Sequence, residues 1–280
     1  MVLTVTPSQI TPNIAALTLS ARFPERPTNY LDLSTLLTIM SYMTFERLYK
    51  RQDKVLKKIF DNEGSIFPGA RVVLVGGTAL ARCYLQHRAS YDLDFFVNAR
   101  FDPLVIQRRL SGTGVPLKMV EIVNDPMFAT QLHGTADVQG EPLRVSIVED
   151  IYADMFPVKT THGIRTETVE GLYHRKLRTI TGSGEGRASS TGRTVHAGAR
   201  QTARDLFDLY VLSSEIKPLM EFVREINEHG AAVPEALLIS GFRKIRWKEL
   251  MDEFEMLEKA EMYAGVKLFD IKRYFDGVLR

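Results

Sequence analysis

The chain has little cysteine, almost no net charge and no long apolar run, and each shortage removes a class of protein. Cys83 is the single cysteine in 280 residues. That excludes a disulfide framework and any zinc centre built on several cysteines, and it fits a reducing, cytoplasmic setting. No apolar run approaches the roughly 18 residues that a membrane-crossing helix needs. The opening stretch MVLTVTPSQITPNIAALTL has no charged segment ahead of its mildly apolar part, so neither a leader nor a membrane anchor is expected. Lys and Arg total 36 against 34 Asp and Glu, a net of +2, so any basic surface must be local. The six histidines have no metal-ligand spacing, and no internal repeat is visible. The chain is 45% hydrophobic, enough for one large core or two lobes of ordinary size.

Residues 1–30 are rich in Pro, Thr and Asn and read as an irregular arm. Over 31–60 apolar positions recur at helical spacing (Leu36, Ile39, Met40, Met43, Leu48, Leu56, Ile59), which predicts two amphipathic helices. Asn62, Gly64 and Pro68 then punctuate the chain. Residues 72–75, VVLV, read as a strand buried on both faces, ended by Gly76 and Gly77. Residues 78–85 read as a helix with Thr78 at its N-cap, and 91–97 as the next strand. Further strands are expected at 117–123, 130–138 and 143–148, with a hairpin turn at 139–141.

The expected fold is α/β (α+β). A lobe with a short mixed sheet and N-terminal helices covers 1–165, and a helical lobe covers 166–280, with helices at 204–214, 219–229 and 248–263. A flexible, Gly- and Ser-rich loop interrupts the helical lobe at 182–203. Between Arg175 and Arg204 there are seven basic side chains and one acid, Glu185. Arg187, Arg193 and Arg200 in that loop are therefore candidate contacts to nucleic-acid phosphates.

The densest stretch is 72–97, VVLVGGTALARCYLQHRASYDLDFFV. In a strand, residues two apart share a face at about 6.6 Å, so Asp92 and Asp94 face one way while Leu93 and Phe95 enter the core. Two carboxylates so close repel each other, and a divalent cation relieves the repulsion; hard oxygen ligands suit Mg²⁺ or Mn²⁺. A glycine turn between a strand and a helix lets backbone N–H groups approach a phosphate. No Gly-Lys-Ser/Thr follows, as a P-loop requires, and no third glycine makes a dinucleotide fingerprint. Taken singly, an Asp-x-Asp is common on exposed strands and a Gly-Gly is a turn; their order and spacing carry the reading. Cys83, on the helix behind the turn, reads as a packed small side chain.

Residues 76–96, GGTALARCYLQHRASYDLDFF, resemble almost position by position the signature of the AbiEii/AbiGii-type nucleotidyltransferase toxins of the polymerase-beta-like superfamily: Gly-Gly-Thr-Ala-Leu, a helix, then His-Arg-x-Ser-x-Asp-Leu-Asp-Phe. A second family block is similar to GLYHRKLRTI, with Lys176, and ARDLFDLYVL, with Arg204, Asp205 and Asp208. The resemblance spans roughly 40–215.

It implies a toxin of a toxin-antitoxin pair that moves a nucleoside monophosphate from an NTP to an acceptor hydroxyl, with pyrophosphate released. The acceptor implied is RNA, plausibly a tRNA 3′ end. Asp92 and Asp94 would bind the metal, Gly76, Gly77 and Thr78 would face the nucleotide phosphates, and Arg88 and Ser90 would help position them. Lys176 would contact triphosphate, Asp205 would serve as metal ligand or base, and Arg204 and Asp208 would support the site. The superfamily often takes a third carboxylate from a later strand. Here Ser146 stands at that place, leaving Glu149, Asp150 or no residue to supply it.

Simpler assignments stay open beside these. Lys176 lies in a basic helix where lysines are commonly only solvated, and Arg204 with Asp208 could be a surface pair at i, i+4. The acceptor could be a protein or a small molecule, and a catalytically silent RNA- or partner-binding module could keep the same fold.

Overall fold

The computed structural model describes residues 33–126, 128–181, 202–230 and 233–279. The chain divides after Ile39 into two units; the first enters the described residues only as the opening of α1, and the second, Met40–Arg280, holds the elements that form the site. The N-terminal arm and the loop with Arg187, Arg193 and Arg200 lie outside the described residues.

Where the apolar pattern predicts two helices there is one, α1 (Leu33–Asp61). No glycine or proline interrupts it, and its inner stripe of Leu48, Gln52, Val55, Leu56 and Ile59 keeps helical period to the end. A single turn, α2 (Glu63–Ile66), leads to β1 (Val72–Val75), which is buried along its whole length. That follows from its place inside a seven-stranded mixed sheet.

α3 (Gly76–Leu80) starts directly on the glycines and runs on through a π-helical turn to Leu85. β2 (Leu93–Val97) and α4 (Pro103–Gly112) follow, then β3 (Leu117–Val123), β4 (Gln131–Val138) and β5 (Glu141–Glu149). A short hairpin, β6 (Val158–Thr161) and β7 (Ile164–Glu167), completes the sheet in the order β3-β4-β5-β2-β1-β7-β6. β1 runs antiparallel to β2 and parallel to β7, and β2 runs parallel to β5. The turn before β5 has both Gln139 and Gly140 at positive φ, the backbone of a tight two-residue hairpin turn.

The helical part comprises α5 (Val169–Thr181), α6 (Ala203–Glu215), α7 (Leu219–Glu228), α8 (Glu235–Arg243), α9 (Met251–Glu255) and α10 (Leu268–Val278). The helix expected over 248–263 is instead α9 flanked by short 3₁₀ turns. Its residues 258–260 are extended: Ala89 donates to the Glu258 carbonyl at 2.9 Å and Ala260 to that of His87 at 2.8 Å. One buried cluster runs from the sheet through α5 and α6 to α10, including Phe95, Tyr173, Phe207 and Phe275.

Candidate active site

The site forms where β1 ends and β2 begins. Asp92 precedes β2 and Asp94 is its second residue; both are half-buried, while Leu93 and Phe95 between and beyond them are fully enclosed. The alternation places both carboxylates on one side of the strand. Gly76 has φ +72°, a backbone region that favours glycine, and a Cβ there would stand 2.9 Å from Asp94 Oδ2. A Cβ on Gly77 would overlap Arg88 Nη2 and reach Ser90 Oγ at 3.0 Å. The glycine pair thus leaves the room that the Asp94 carboxylate and the Arg88 fork occupy.

Thr78 does not cap the helix; Val75 holds the N-cap position and Thr78 lies inside the first turn. Its buried hydroxyl hydrogen-bonds the Asp92 carbonyl and lies 2.9 Å from Ser90 Oγ. Gln52, fully buried on α1, donates to the Ser90 carbonyl at 2.7 Å. The segment carrying Ser90 and Asp92 is therefore fixed from two sides through its backbone carbonyls.

Behind the aspartates lies a buried ionic cluster centred on Asp208. Arg88 closes on it with two hydrogen bonds, Nε to Oδ1 at 2.6 Å and Nη2 to Oδ2 at 2.8 Å. His87 Nε2 is 2.7 Å from Oδ1, and Lys176 Nζ is 2.7 Å from Oδ2. Lys176 also donates to Asp205 Oδ1 at 2.6 Å, while the Thr202 hydroxyl donates to Asp205 Oδ2 at 2.8 Å and caps the Asp205 amide. Burial by itself would raise the Asp208 pKa, but Arg88 and Lys176 hold it well below the carboxylate range. Burial likewise opposes the charge on Lys176, and Asp205 and Asp208 outweigh it and raise its pKa. For His87 burial wins over Asp208 and the pKa falls, which favours a neutral ring.

This geometry differs from several sequence-based expectations. The family resemblance puts Arg88 and Lys176 at the nucleotide phosphates, yet both are buried and closed onto carboxylates. Arg204 and Asp208 form no surface pair: Asp208 is fully buried, and Arg204 stands 3.5 Å from Asp92 Oδ2 and 3.8 Å from Glu253 Oε1. The β2–β5 register sets Ser146 beside Asp94, as the sequence suggests, but Glu149 beside Val97, three residues and about 10 Å further along. Glu149 accepts from the Thr130 amide, and Asp150 is held by Arg175 in a two-point pair. Neither supplies a third carboxylate to the aspartate pair. Among the described residues no group of three or more His, Cys, Asp or Glu gathers as a metal site. Two carboxylates beside an open turn still suit Mg²⁺, which commonly takes one or two carboxylates together with substrate phosphates.

Sequence reasoning does not anticipate Gln52, Glu253 or the bracing of 87–89 by 258–260, because each contact joins segments far apart in the chain. His87 does stand in the motif, directly before the buried Arg88, and is a local signal of the cluster. Cys83 is buried and its thiol pKa is pushed up to about 11, chiefly by burial, as suits a packed side chain.

Comparison with known proteins agrees with the motif. Residues 64–114 match the family model described as nucleotidyl transferase AbiEii toxin, type IV TA system, which bears out the resemblance read from the sequence. Among solved structures, the nucleotidyltransferase toxin MenT4 from Mycobacterium tuberculosis aligns with 83% of this chain and 81% of its own at 16% identity and a TM-score of 0.50. That likeness extends to the fold. JHP933 from Helicobacter pylori aligns at 18% identity over 85% of this chain and 89% of its own, with a TM-score of 0.48. No curated protein matches the chain.

Proposed function

We propose that the chain is a toxin-type nucleotidyltransferase that transfers a nucleoside monophosphate from an NTP to an acceptor hydroxyl and releases pyrophosphate. The observation that carries the reading is the Asp92–Asp94 pair on one side of a strand start, with Gly76 and Gly77 shaped around it. In this reading the two aspartates hold a divalent cation, Mg²⁺ or Mn²⁺, which when bound supplies charge stabilisation to phosphoryl transfer. The Gly76–Thr78 turn, at the start of α3 beside Asp94, would face the nucleotide phosphates. Thr78, Ser90 and Gln52 hold the backbone of the Asp92 segment in place, and that fixed backbone is the protein's main contribution to positioning.

Asp205, in this reading, serves as a metal ligand or as the base that accepts a proton from the acceptor hydroxyl. It lies in the first turn of α6, where Lys176 and the Thr202 hydroxyl orient its carboxylate. Arg88, His87 and Asp208 tie α6 to the glycine turn and so hold Asp205 and the aspartate pair in one frame. RNA is the acceptor we favour, because the segment from Arg175 to Arg204 has seven basic side chains and one acid, and phosphate neutralisation by Lys and Arg is the usual source of RNA affinity. An antitoxin partner follows from the type of system to which the matched family model belongs.

The test is incubation of the protein with each labelled NTP, total RNA and a protein extract, followed by separation of the products. Label on RNA supports the reading. Label on protein or on a small molecule would keep the transferase and move the acceptor, and no transfer from any NTP would leave a silent binding module.

A further inference from the structure

Among the described residues, three cations stand near the carboxylates of the site, and they differ in how freely they can change partner. Arg88 is 3% exposed in its side chain and has both arms of its fork on Asp208. Lys176, at 10%, lies between Asp205 and Asp208. Moving either would strand a buried carboxylate, a change that costs several kcal/mol. Arg204 is different. Its side chain is 41% exposed and it meets Asp92 and Glu253 at ion-pair distance, 3.5 and 3.8 Å. Exposed pairs of this kind contribute roughly 0–1 kcal/mol, so Arg204 can leave Asp92 at little cost.

Its backbone, by contrast, is fixed. Arg204 is the second residue of α6, which starts on the Thr202 cap, and the Ala203 amide donates to Glu253 Oε2 at 3.1 Å. Glu253 is therefore anchored to the same helix start and keeps an alternative carboxylate beside the guanidinium. The backbone is held, the side chain is partly exposed, and two acids of comparable reach compete for it.

We propose that Arg204 is the phosphate-binding cation of this site and that it also competes with the divalent cation for Asp92. With the site empty, Arg204 neutralises Asp92. When the carboxylate takes a metal ion, Arg204 releases it and turns its fork to the phosphates of the NTP, for which a planar guanidinium is better suited than a buried ammonium. This assigns to Arg204 the phosphate contact that the family resemblance implies for Lys176, and it rests on the reading of the site as one for metal and NTP.

The experiment measures two affinities for the full chain and for Arg204→Gln. Mn²⁺ binding is read by electron paramagnetic resonance without nucleotide, and binding of each NTP by calorimetry with Ca²⁺ in place of the reactive metal. Arg204→Gln should bind Mn²⁺ about two- to five-fold more tightly, since a weak competitor has gone, and its best NTP about tenfold or more weakly, since a charged hydrogen-bond donor has gone. Arg204→Lys should recover part of the NTP affinity. Opposite shifts from one substitution are what a merely structural arginine would not produce. A wild type that binds both ligands, with a variant in which both affinities fall or neither moves, overturns this inference alone. A wild type that binds neither Mn²⁺ nor any NTP overturns the reading of the site and this inference with it.

Discussion

The Arg88 guanidinium and the Asp208 carboxylate, 120 positions apart in the chain, meet in a fully buried two-point pair at 2.6 and 2.8 Å. This pair joins the loop ahead of β2 to α6, and Lys176 and His87 complete its coordination.

Breaking that pair from one side should unfold the junction. Arg88→Gln leaves Asp208 with one fewer countercharge inside the protein, and the expected loss is about 3–5 kcal/mol. Denaturant unfolding of the wild type and the variant measures it directly. A loss under about 1 kcal/mol would mean that the pair is far more hydrated than its burial indicates.

The glycine turn makes a sharper steric prediction. Gly77→Ala puts a methyl group onto Arg88 Nη2 and close to Ser90 Oγ, so we expect about 1–3 kcal/mol of destabilisation, the usual range for overpacking. Gly64→Ala is the control, because a Cβ at Gly64 meets nothing within 4 Å. Equal melting temperatures for the two variants would contradict the close approach.

These two positions also mark how far the sequence can be read. The valine run of β1, the glycine pair and the face shared by Asp92 and Asp94 depend on local pattern, and the structure has them where the pattern suggests. The strands at 117–123 and 131–138 are legible for the same reason. Asp208 is not: its i, i+4 spacing from Arg204 suggests a surface pair, and only the packing of α6 against residues 87–90 turns it inward. α4 has local signals that apolar periodicity does not weigh, an Asp102 N-cap that accepts from the Leu104 and Val105 amides and Pro103 at the first helical position. The extended segment 258–260 has no local signature at all, since its conformation is set by pairing with residues 87–89.

Acid should destabilise the fold through its buried histidines. His174 packs between the rings of Tyr152 and Phe156, and burial, with Arg178 and Arg175 nearby, lowers its pKa from 6.5 to about 3. His87 is shifted the same way. A depressed folded-state pKa means that the unfolded chain takes up the proton first, so stability is full above pH 6.5 and falls as the pH drops below it. From His174 alone the loss at pH 5 is about 2 kcal/mol. His174→Phe should flatten the stability profile between pH 7 and 5, as followed by thermal melting at each pH. A profile as steep as wild type would place the proton uptake elsewhere.

If the basic segment binds the acceptor, then replacing Arg187, Arg193 and Arg200 together with Gln should weaken RNA binding and flatten its salt dependence. Every arginine that no longer neutralises a phosphate takes roughly 0.7–0.9 off the slope of log affinity against log salt. NTP affinity should change much less. A salt titration with superimposable slopes would leave these arginines without that role.

The central claim is that Asp92 and Asp94 together hold the metal on which nucleotidyl transfer depends. The most direct measurement is transfer of labelled nucleotide by wild type, Asp92→Asn and Asp94→Asn over a Mg²⁺ titration, with unfolding curves on the same samples. Both carboxylates are half-buried at the strand start, so each variant should stay folded, within about 1 kcal/mol of wild type. Each should lose transfer by about a hundredfold or more at every Mg²⁺ concentration, because a ligand to the ion contributes several kcal/mol to the transition state. Transfer within about tenfold of wild type in either folded variant would contradict the account.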